Sequence, residues 1–445
     1  MVTELVEAKN KYQSAFRALQ QQNPTVKWVE ILRESAMDRF ELLGIPSVKE
    51  EDWKYTNLAS LAKANFQPTS AERPIDNELA NSLAGFSYPE TRGTHLVLVN
   101  GVLRRELSST SGLANIVALD LSEAIADPTH GVTVREYLAR NADYNDNGLT
   151  ALNTAFLKSG VFILIPKDTK LDAPLQVTFF SDAQQPNSAT FPRALVVAEE
   201  NSSATLIESY VGTGEGRYFT NAVVEIVVKD GARLEHYRLQ RESNNAFHVA
   251  TTSAKLGSAS SYDTTSITLG GGLSRHDISV SLDHEGAECW VDGLYVVGSG
   301  QHADTHSVID HSQPHCTSHQ LYKGILDGNS RAVFNGKVFV RPGAQKTDAL
   351  QTNKNLLLSN DARVDTKPQL EIFADDVKCA HGAAVGQIDE DELFYLETRG
   401  LNQELTRSLL TYGLAEEVIA KIKTDSLRGQ LDEAVLNRLH TQLEV

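Results

Sequence analysis

Cysteine is scarce in this chain: only Cys289, Cys316 and Cys379 occur among 445 residues. Because the number is odd and no Cys-x-x-Cys pair occurs, the sequence argues against a disulfide framework and fits a reducing compartment. Positive charge is also in short supply, since 41 Lys and Arg stand against 58 Asp and Glu and the net charge is −17. Such a chain lacks the basic face that nucleic acid or an anionic membrane surface requires.

Long apolar runs are missing as well. No segment approaches about 18 uninterrupted apolar residues, so no membrane-spanning helix is expected. The acidic segment 1–7 has neither the apolar core of a secretory signal nor the arginines of a transit peptide, and we therefore expect a cytoplasmic protein. The chain is too long for one ordinary core, which predicts two or three domains or a repeat array.

The sequence pattern divides the chain into three regions. Residues 1–94 are predicted to form an N-terminal helical domain and a connector, and residues 95–388 a β core. Residues 389–445 show helical spacing of leucines and are predicted to form a C-terminal helical domain. This tail is too small to bury a large core alone, so we expect it to pack on the β region or on a partner.

The central region has a weak internal repeat. Short β-branched runs alternate with Gly, Asn and Asp turns, which is typical of strands. Small residues follow these turns at intervals of about 27 to 30 residues, a spacing that indicates a solenoid. They form two series, the first with Ala204, Ala232, Ala259 and Ala287 and the second with Ala303, Ala332 and Ala362. We predict a mainly β protein with a β-helix core, and a large β-sandwich remains the alternative at this point.

Cys379 and His381 are the strongest candidate site residues. Two positions apart in a strand, their side chains fall on one face. A thiol and an imidazole are both good ligands for iron. Because two ligands cannot close a four-coordinate site, a second chain or a small molecule would have to supply the rest. The alternative is a buried cysteine and a turn histidine with no ligand role, and spacing does not decide between them.

Other motifs favour structural interpretations. The histidine-rich stretch from 302 to 319 also contains Cys316, and we favour strand-face and turn hydrogen bonds for it over a metal site. The glycines at 270–272 lack the Gly-Lys-Ser/Thr ending of a phosphate loop and indicate a tight turn. The amides between 346 and 355 can stack as a ladder along a solenoid. Cys289 is predicted to be a buried thiol.

Several segments resemble the SufB/SufD family of the SUF iron–sulfur cluster assembly machinery. The similar segments are 331–337, 346–348, 353–359, 364–372, 379–386, 394–396 and 399–401, with 270–277 and 51–56 as further matches. The segment 51–56 (EDWKYT) and the residues His381, Gly382 and Ala383 are similar to the SufD branch. The absence of Cys-x-x-Cys also disfavours the SufB branch.

The resemblance implies a right-handed parallel β-helix between helical N- and C-terminal domains. It implies that the chain pairs with SufB through the β-helix and binds the ATPase SufC through its C-terminal helices. A transient iron–sulfur cluster would form near the SufB interface with Cys379 and His381 as contributing ligands, and none is expected to stay on the isolated chain. The unpaired edge of the last coil also predicts a homodimer when SufB is absent.

Two hypotheses of different classes follow. The first is a non-catalytic scaffold subunit of a cluster-assembly complex. The second is a β-helix enzyme acting on polysaccharide, which would need a row of carboxylates on one face of the coils.

Overall fold

The structure is a computed structural model that describes residues 2–64, 66–69, 74–183, 187–214 and 216–439. The last six residues of the predicted C-terminal domain therefore lie outside the described residues. Within the described ranges the helices are α1 (Val2–Gln22), α2 (Lys27–Leu43), α3 (Ala59–Ala64), α4 (Asn77–Ala84), α5 (Leu121–Ala126), α6 (Gly131–Tyr137), α7 (Gly148–Ala155), α8 (Glu390–Glu397), α9 (Gln403–Ile419) and α10 (Asp425–Arg438).

The strands of the first half are β1 (Gln67–Pro68), β2 (His95–Val99), β3 (Val102–Leu103), β4 (Val117–Asp120), β5 (Val161–Ile165), β6 (Leu175–Asp182), β7 (Ser188–Thr190), β8 (Arg193–Ala198), β9 (Ser203–Thr213), β10 (Tyr218–Val228) and β11 (Arg233–Gln240). Those of the second half are β12 (Ala246–Leu256), β13 (Ser261–Thr268), β14 (Leu273–Leu282), β15 (Glu288–Val297), β16 (His302–His311), β17 (Thr317–Leu326), β18 (Arg331–Val340), β19 (Asp348–Leu357), β20 (Arg363–Ile372) and β21 (Lys378–Gly386).

These strands form a parallel β-solenoid of about 7 turns, as predicted. Even-numbered strands from β8 to β20 stack in one sheet, here called sheet A, and odd-numbered strands from β9 to β21 stack in the other, sheet B. Register pairs Arg233 with Ser261 in sheet B and Tyr218 with Ala246 in sheet A, each 28 residues apart. The alanine spacing in the sequence therefore reflects coil length, and the β-sandwich alternative is wrong.

Strand alternation decides which side chains fill the solenoid. In β10 to β20 every second residue points inward, and the apolar ones form one continuous core, including Val224, Leu256, Ile278 and Val338. Burying this row in every coil supplies the main driving force for stacking, at about 25 cal/mol per Å² of apolar surface. Helices then cover parts of the outer faces of both sheets.

The inside of the solenoid is not wholly apolar. Glu208, His236, Arg238, Glu242 and His248 form a buried ionic network between neighbouring coils. Arg238 Nη2 lies 2.5 Å from His248 Nε2, and His248 Nδ1 lies 2.6 Å from a Glu242 oxygen. Because a guanidinium can only donate, Nε2 of His248 accepts, and its Nδ1 carries the proton and faces the Glu242 carboxylate. The charge of Glu208 is therefore paired with Arg238, while Glu242 accepts hydrogen bonds from Thr220 and Gln240, as burial requires.

The helices α5, α6 and α7 interrupt the β region and were not predicted. Asp120 and Asn147 cap α5 and α7 by accepting hydrogen bonds from backbone N–H groups. Glu225 on β10 holds this part of the chain against sheet A, because its carboxylate accepts the backbone N–H groups of residues 139–142 and faces Arg193 at 2.5 Å. The pair is fully buried, so removing either partner would leave an uncompensated charge.

The C-terminal helices α9 and α10 cover the outer face of sheet B. Apolar residues of β9 to β15, among them Ile207, Leu239 and Leu294, pack against Val418 and Leu431. The tail therefore completes its small core on the solenoid, as its size required. In the part of the chain that the structure describes, no helix is long and apolar enough to cross a membrane.

Candidate functional site

The solenoid ends in an open coil made of β20 and β21. Within the described residues β20 pairs only with β18, and β21 pairs only with β19. Lys378 donates its N–H to Thr347, and Arg363 donates its N–H to Ser330. Since backbone groups alternate sides in a parallel ladder, the N–H groups of residues 379, 381, 383 and 385 face away from β19. The last coil thus presents two unpaired strand edges.

Cys379 and His381 lie on β21 and extend rows that run along the inside of sheet B. Cys379 follows Ala349 in register, and His381 follows Gln351. Ala349 and Gln351 are fully buried, whereas Cys379 is half-buried and His381 is exposed. The two side chains therefore share the inner face, as their spacing predicted. They are accessible because no further coil covers that face.

The environment of Cys379 is partly apolar. The residue packs against the solenoid core beside Val364, Leu370 and Val377, which are also half-buried. Burial raises the pKa of its thiol, and the nearby carboxylate of Asp348 acts in the same direction. The thiol form is therefore favoured until a cation or a change of surroundings stabilises the thiolate.

Proline marks one edge of the same coil. The backbone N–H of Arg363 faces β18, and so does that of Lys367, which lies four residues further along the strand. The backbone nitrogen of Pro368, the next residue, therefore faces the open side. Proline is tolerated there because it has no N–H to leave unpaired. The edge of β20 is thus blunted at one position, while β21 carries no proline. The sequence showed Pro368, but its meaning depends on knowing that β20 is last in its sheet.

The histidine stretch is dispersed over several surfaces. His302 and His306 share the outer face of β16, whereas His311 is buried inside and bonds to Ser318 at 2.8 Å. His315 lies in a turn with a φ of 59°, and His319 stacks on Trp290 on the outer face of sheet B. Among the described residues no group of three or more His, Cys, Asp or Glu side chains is arranged to hold a metal. Cys316 and Cys289 are both buried thiols.

The segment 51–56 docks the N-terminal region onto sheet A. Arg275 stacks over the Trp53 ring at 3.7 Å and donates to the Asp52 carbonyl at 2.7 Å. Arg275 also pairs with Asp304 at 2.8 Å, and Asp304 in turn accepts from Thr56 at 2.5 Å. Burial opposes ionisation of Asp304, but Arg275 keeps the pKa of this carboxyl below its usual value. This motif therefore has a packing role that sequence analysis had left unassigned.

The comparisons with known proteins agree with this architecture. Residues 179–414 match the family model described as SUF system FeS cluster assembly, SufBD core domain, and residues 6–177 match the SufBD protein N-terminal region. An iron–sulfur cluster assembly SufBD family protein of Synechocystis is 36% identical over 91% of this chain and 89% of its own length. The iron–sulfur cluster assembly protein SufD of Escherichia coli is 31% identical over 89% of this chain and 90% of its own.

A third relative, the iron–sulfur cluster assembly protein SufD of Bacillus subtilis, is 26% identical over 94% of this chain and 96% of its own length. The two family models together span both the helical N-terminal region and the solenoid. The chain therefore belongs to the SufBD family, as a SufD-type member with a role in SUF iron–sulfur cluster assembly.

Proposed function

We propose that this chain is a non-catalytic, cytoplasmic scaffold subunit that pairs with SufB through its open coil, binds the ATPase SufC through its C-terminal helices, and helps to hold a nascent iron–sulfur cluster as cargo. One observation carries the proposal. Cys379 and His381 extend buried inner rows into the one coil of sheet B that has no successor. A partner strand laid on this coil would enclose both side chains, and the partner could supply the remaining ligands.

The chemistry of the pair suits a transient ligand set. A thiolate binds iron strongly, while a neutral imidazole is more readily exchanged. Both residues sit at a boundary that opens when the subunits part, so a cluster can leave without unfolding either chain. Because burial raises the pKa of this half-buried thiol, iron bound beside it would favour the thiolate.

The edges of β20 and β21 support pairing by strand addition. Each is about ten residues long and offers a row of free N–H and C=O groups, which is what β-augmentation requires. Val385 and Ile372 are exposed on the same coil and would be covered by a partner. When SufB is absent, we expect a second copy of this chain to cover the same edges.

The tail offers a separate surface for SufC. The apolar faces of α9 and α10 are used against sheet B, but α8 leaves Phe394 68% and Tyr395 56% exposed. Exposed aromatic side chains of this size are typical of protein contacts. Phe394→Ala should weaken capture of SufC in a pull-down, whereas Val132→Ala, at an equally exposed position on α6, should not. Equal capture by both variants would contradict this assignment.

The polysaccharide alternative gains no support from the described residues. The carboxylates of Glu235 and Asp292 on the outer face of sheet B are engaged by Lys423 and Lys421 from the link between α9 and α10. A substrate would have to displace these helices to reach them.

The ligand role is tested in the assembled complex. His381→Ala should lower cluster formation without lowering assembly when the chain is co-expressed with SufB and SufC and purified without oxygen, as read by visible absorption. Cys379→Ala should have a smaller or condition-dependent effect. His319→Ala serves as the control, because that imidazole lies on the outer face of sheet B. Cluster at the unmodified level in His381→Ala complexes would show that the pair is structural.

A further inference from the structure

A one-way hydrogen-bond ladder of side-chain amides runs through the inside of the solenoid towards His381. Gln320 Nε2 donates to Ser307 Oγ at 2.8 Å, and Gln351 Nε2 donates to Gln320 Oε1 at 2.7 Å. The N–H group of Gln351 therefore points towards β17, away from the open coil. In such a ladder each carbonyl faces the rung that follows, so the polarity of the whole row is set.

The last carbonyl of this ladder has no donor. Gln351 is fully buried, and its Oε1 makes no hydrogen bond to any residue that the structure describes. Its Nε2 is occupied by Gln320, and on the open side of Gln351 the next residue in register is His381. A buried acceptor without a partner costs about 1–3 kcal/mol, which makes a donor at this position favourable.

A glycine on the facing sheet leaves the room in which the Gln351 amide lies. A Cβ at Gly336 would come within 2.4 Å of Gln351 Nε2 and 3.0 Å of its Cδ. Gly336 pairs with Ser307 and Pro368 in sheet A, so it occupies the inward row that faces the ladder. The amide is therefore held by a bond on one side and by close packing on the other.

We propose that Gln351 is a positioning residue for His381: once the exposed imidazole rotates towards it, its Oε1 accepts the imidazole N–H, selects one neutral tautomer, and leaves the other ring nitrogen with its lone pair for an incoming iron centre. A carbonyl can only accept, so it can hold the ring only through a protonated nitrogen. Histidine ligands are commonly oriented in this way, and loss of such a partner costs roughly 10- to 100-fold in metal affinity. The inference rests on the proposed function, since it assigns His381 a ligand role.

The test uses the full, metal-free chain with ¹⁵N-labelled histidine. Long-range ¹H–¹⁵N correlation spectra at about pH 8 distinguish a protonated ring nitrogen from one with a lone pair, and the His381 signal is identified by its loss in His381→Ala. We expect a single tautomer in the unmodified chain and a mixture in Gln351→Met, which keeps the volume and removes the acceptor. Gly336→Ala, which displaces the amide from the facing sheet, should also give a mixture.

Ser307→Ala is the matched control, because it removes the far end of the ladder and leaves the Gln351 carbonyl in place. It should keep the single tautomer. A mixture in the unmodified chain, or an unchanged single tautomer in folded Gln351→Met, would overturn the assignment. The first of these outcomes is decisive even where a variant fails to fold.

The result is separable from the test of the proposed function. The tautomer is read without metal, SufB or SufC, whereas the ligand role is read from cluster formation in the complex. If His381→Ala leaves cluster formation unchanged, the ligand role fails whatever the spectra show. If His381→Ala lowers it but Gln351→Met has no effect on the tautomer, only the positioning role fails. Where both hold, Gln351→Met complexes should retain roughly tenfold less cluster.

Discussion

The two ends of the solenoid are finished in different ways. At the first end β2 pairs with the short antiparallel strand β3, and β5 pairs with the antiparallel strand β4. At the last end β20 and β21 are long parallel strands whose outer edges have no partner among the described residues. Natural sheets usually protect their edges against other chains. Protection at one end only fits the proposal that the other end pairs with a partner.

The inward-facing residues also differ between the two ends of the solenoid. At the first end Leu113 and Ile116, which lie between β3 and β4, are buried against the solenoid core. At the last end the equivalent inward positions hold Cys379 and His381, with much of their surface free. One end is closed by apolar side chains that contribute stability, and the other exposes the side chains for which we propose an iron-ligand role.

The largest effect is expected from Leu113→Ala at the closed end. Leu113 is 4% exposed, so truncation removes buried apolar surface and leaves a cavity, at a cost of about 2–4 kcal/mol in the free energy of unfolding. Val385→Ala at the open end, where the side chain is 46% exposed, should cost less than about 0.5 kcal/mol. Denaturant unfolding of both variants measures the difference. Similar losses of unfolding free energy in the two variants would contradict the proposed difference between the closed and the open end.

Pairing through the open end is tested by Ala383→Pro. The N–H of Ala383 faces away from β19, so proline leaves the intrachain ladder intact but takes a donor from the free edge. We expect binding to SufB to weaken at least about tenfold, which corresponds to about 1.4 kcal/mol, with the fold retained. Titration calorimetry or interferometry would measure the affinity.

Ala384→Pro is the matched control for that change. The N–H of Ala384 points towards β19, so proline there breaks a bond of the ladder and should loosen β21 itself. Hydrogen exchange would then rise along β21 in Ala384→Pro but not in Ala383→Pro. If Ala383→Pro binds SufB as tightly as the unmodified chain, pairing does not use the edge of β21.

A pH-dependent prediction concerns the coils between the two ends. Asp263 lies on the outer face of sheet B near Glu235 and Asp292, under Lys421 and Lys423 of the link between α9 and α10. Burial and the two neighbouring carboxylates raise the pKa of Asp263 to about 6 from an ordinary 3.8, although both lysines oppose this. The folded chain thus holds this proton more tightly than the unfolded chain.

The sign of the effect follows from that difference. The contribution of Asp263 is fully present below about pH 4 and is lost as the pH rises through about 6. Asp263→Asn should therefore stabilise the chain by about 1–2 kcal/mol at pH 7.5, after allowance for solvent screening, and by little near pH 4. Thermal unfolding across this range measures it. A stability difference that is the same at all pH values would show that protonation of Asp263 does not relieve its repulsion by Glu235 and Asp292.

Much of the fold could be predicted because solenoids repeat simple rules. Alternation predicts strands. Coil lengths that stay within a few residues of one another leave a regular spacing in the sequence, even where the alanines themselves occupy different positions in the register. The shared face of Cys379 and His381 follows from strand geometry alone. That they lie on the last coil, half-buried and exposed, depends on where stacking stops, which no local pattern of β21 records.

Other parts could not be predicted for equally physical reasons. The helices α5, α6 and α7 have only six to eight residues each, too short for a helical period to stand out from β-rich flanks. The capping residues Asp120 of α5 and Asn147 of α7 were the available sequence signal for these helices. Glu208 and Arg238 are charged but point inward, which reverses the usual alternation of apolar inward and polar outward residues. They can be buried because each is the other's partner in place of water. The contact of Trp53 with Arg275 joins residues 222 positions apart.

The smallest expected effect concerns Pro368, which distinguishes the two edges of the open coil. Its backbone nitrogen faces the free side of β20, so Pro368→Ala adds one N–H to an edge that now lacks it. We expect self-association of the isolated chain to strengthen by a few-fold, since one added hydrogen bond is worth about 0.5–1.5 kcal/mol. Sedimentation equilibrium measures the dimer constant.

Pro342→Ala is the control for this change. Pro342 lies in an exposed turn, where its carbonyl accepts a hydrogen bond from Gln345, and its replacement should leave the dimer constant unchanged. If both variants associate like the unmodified chain, β20 contributes no strand to the dimer and the free edge of β21 alone carries the pairing.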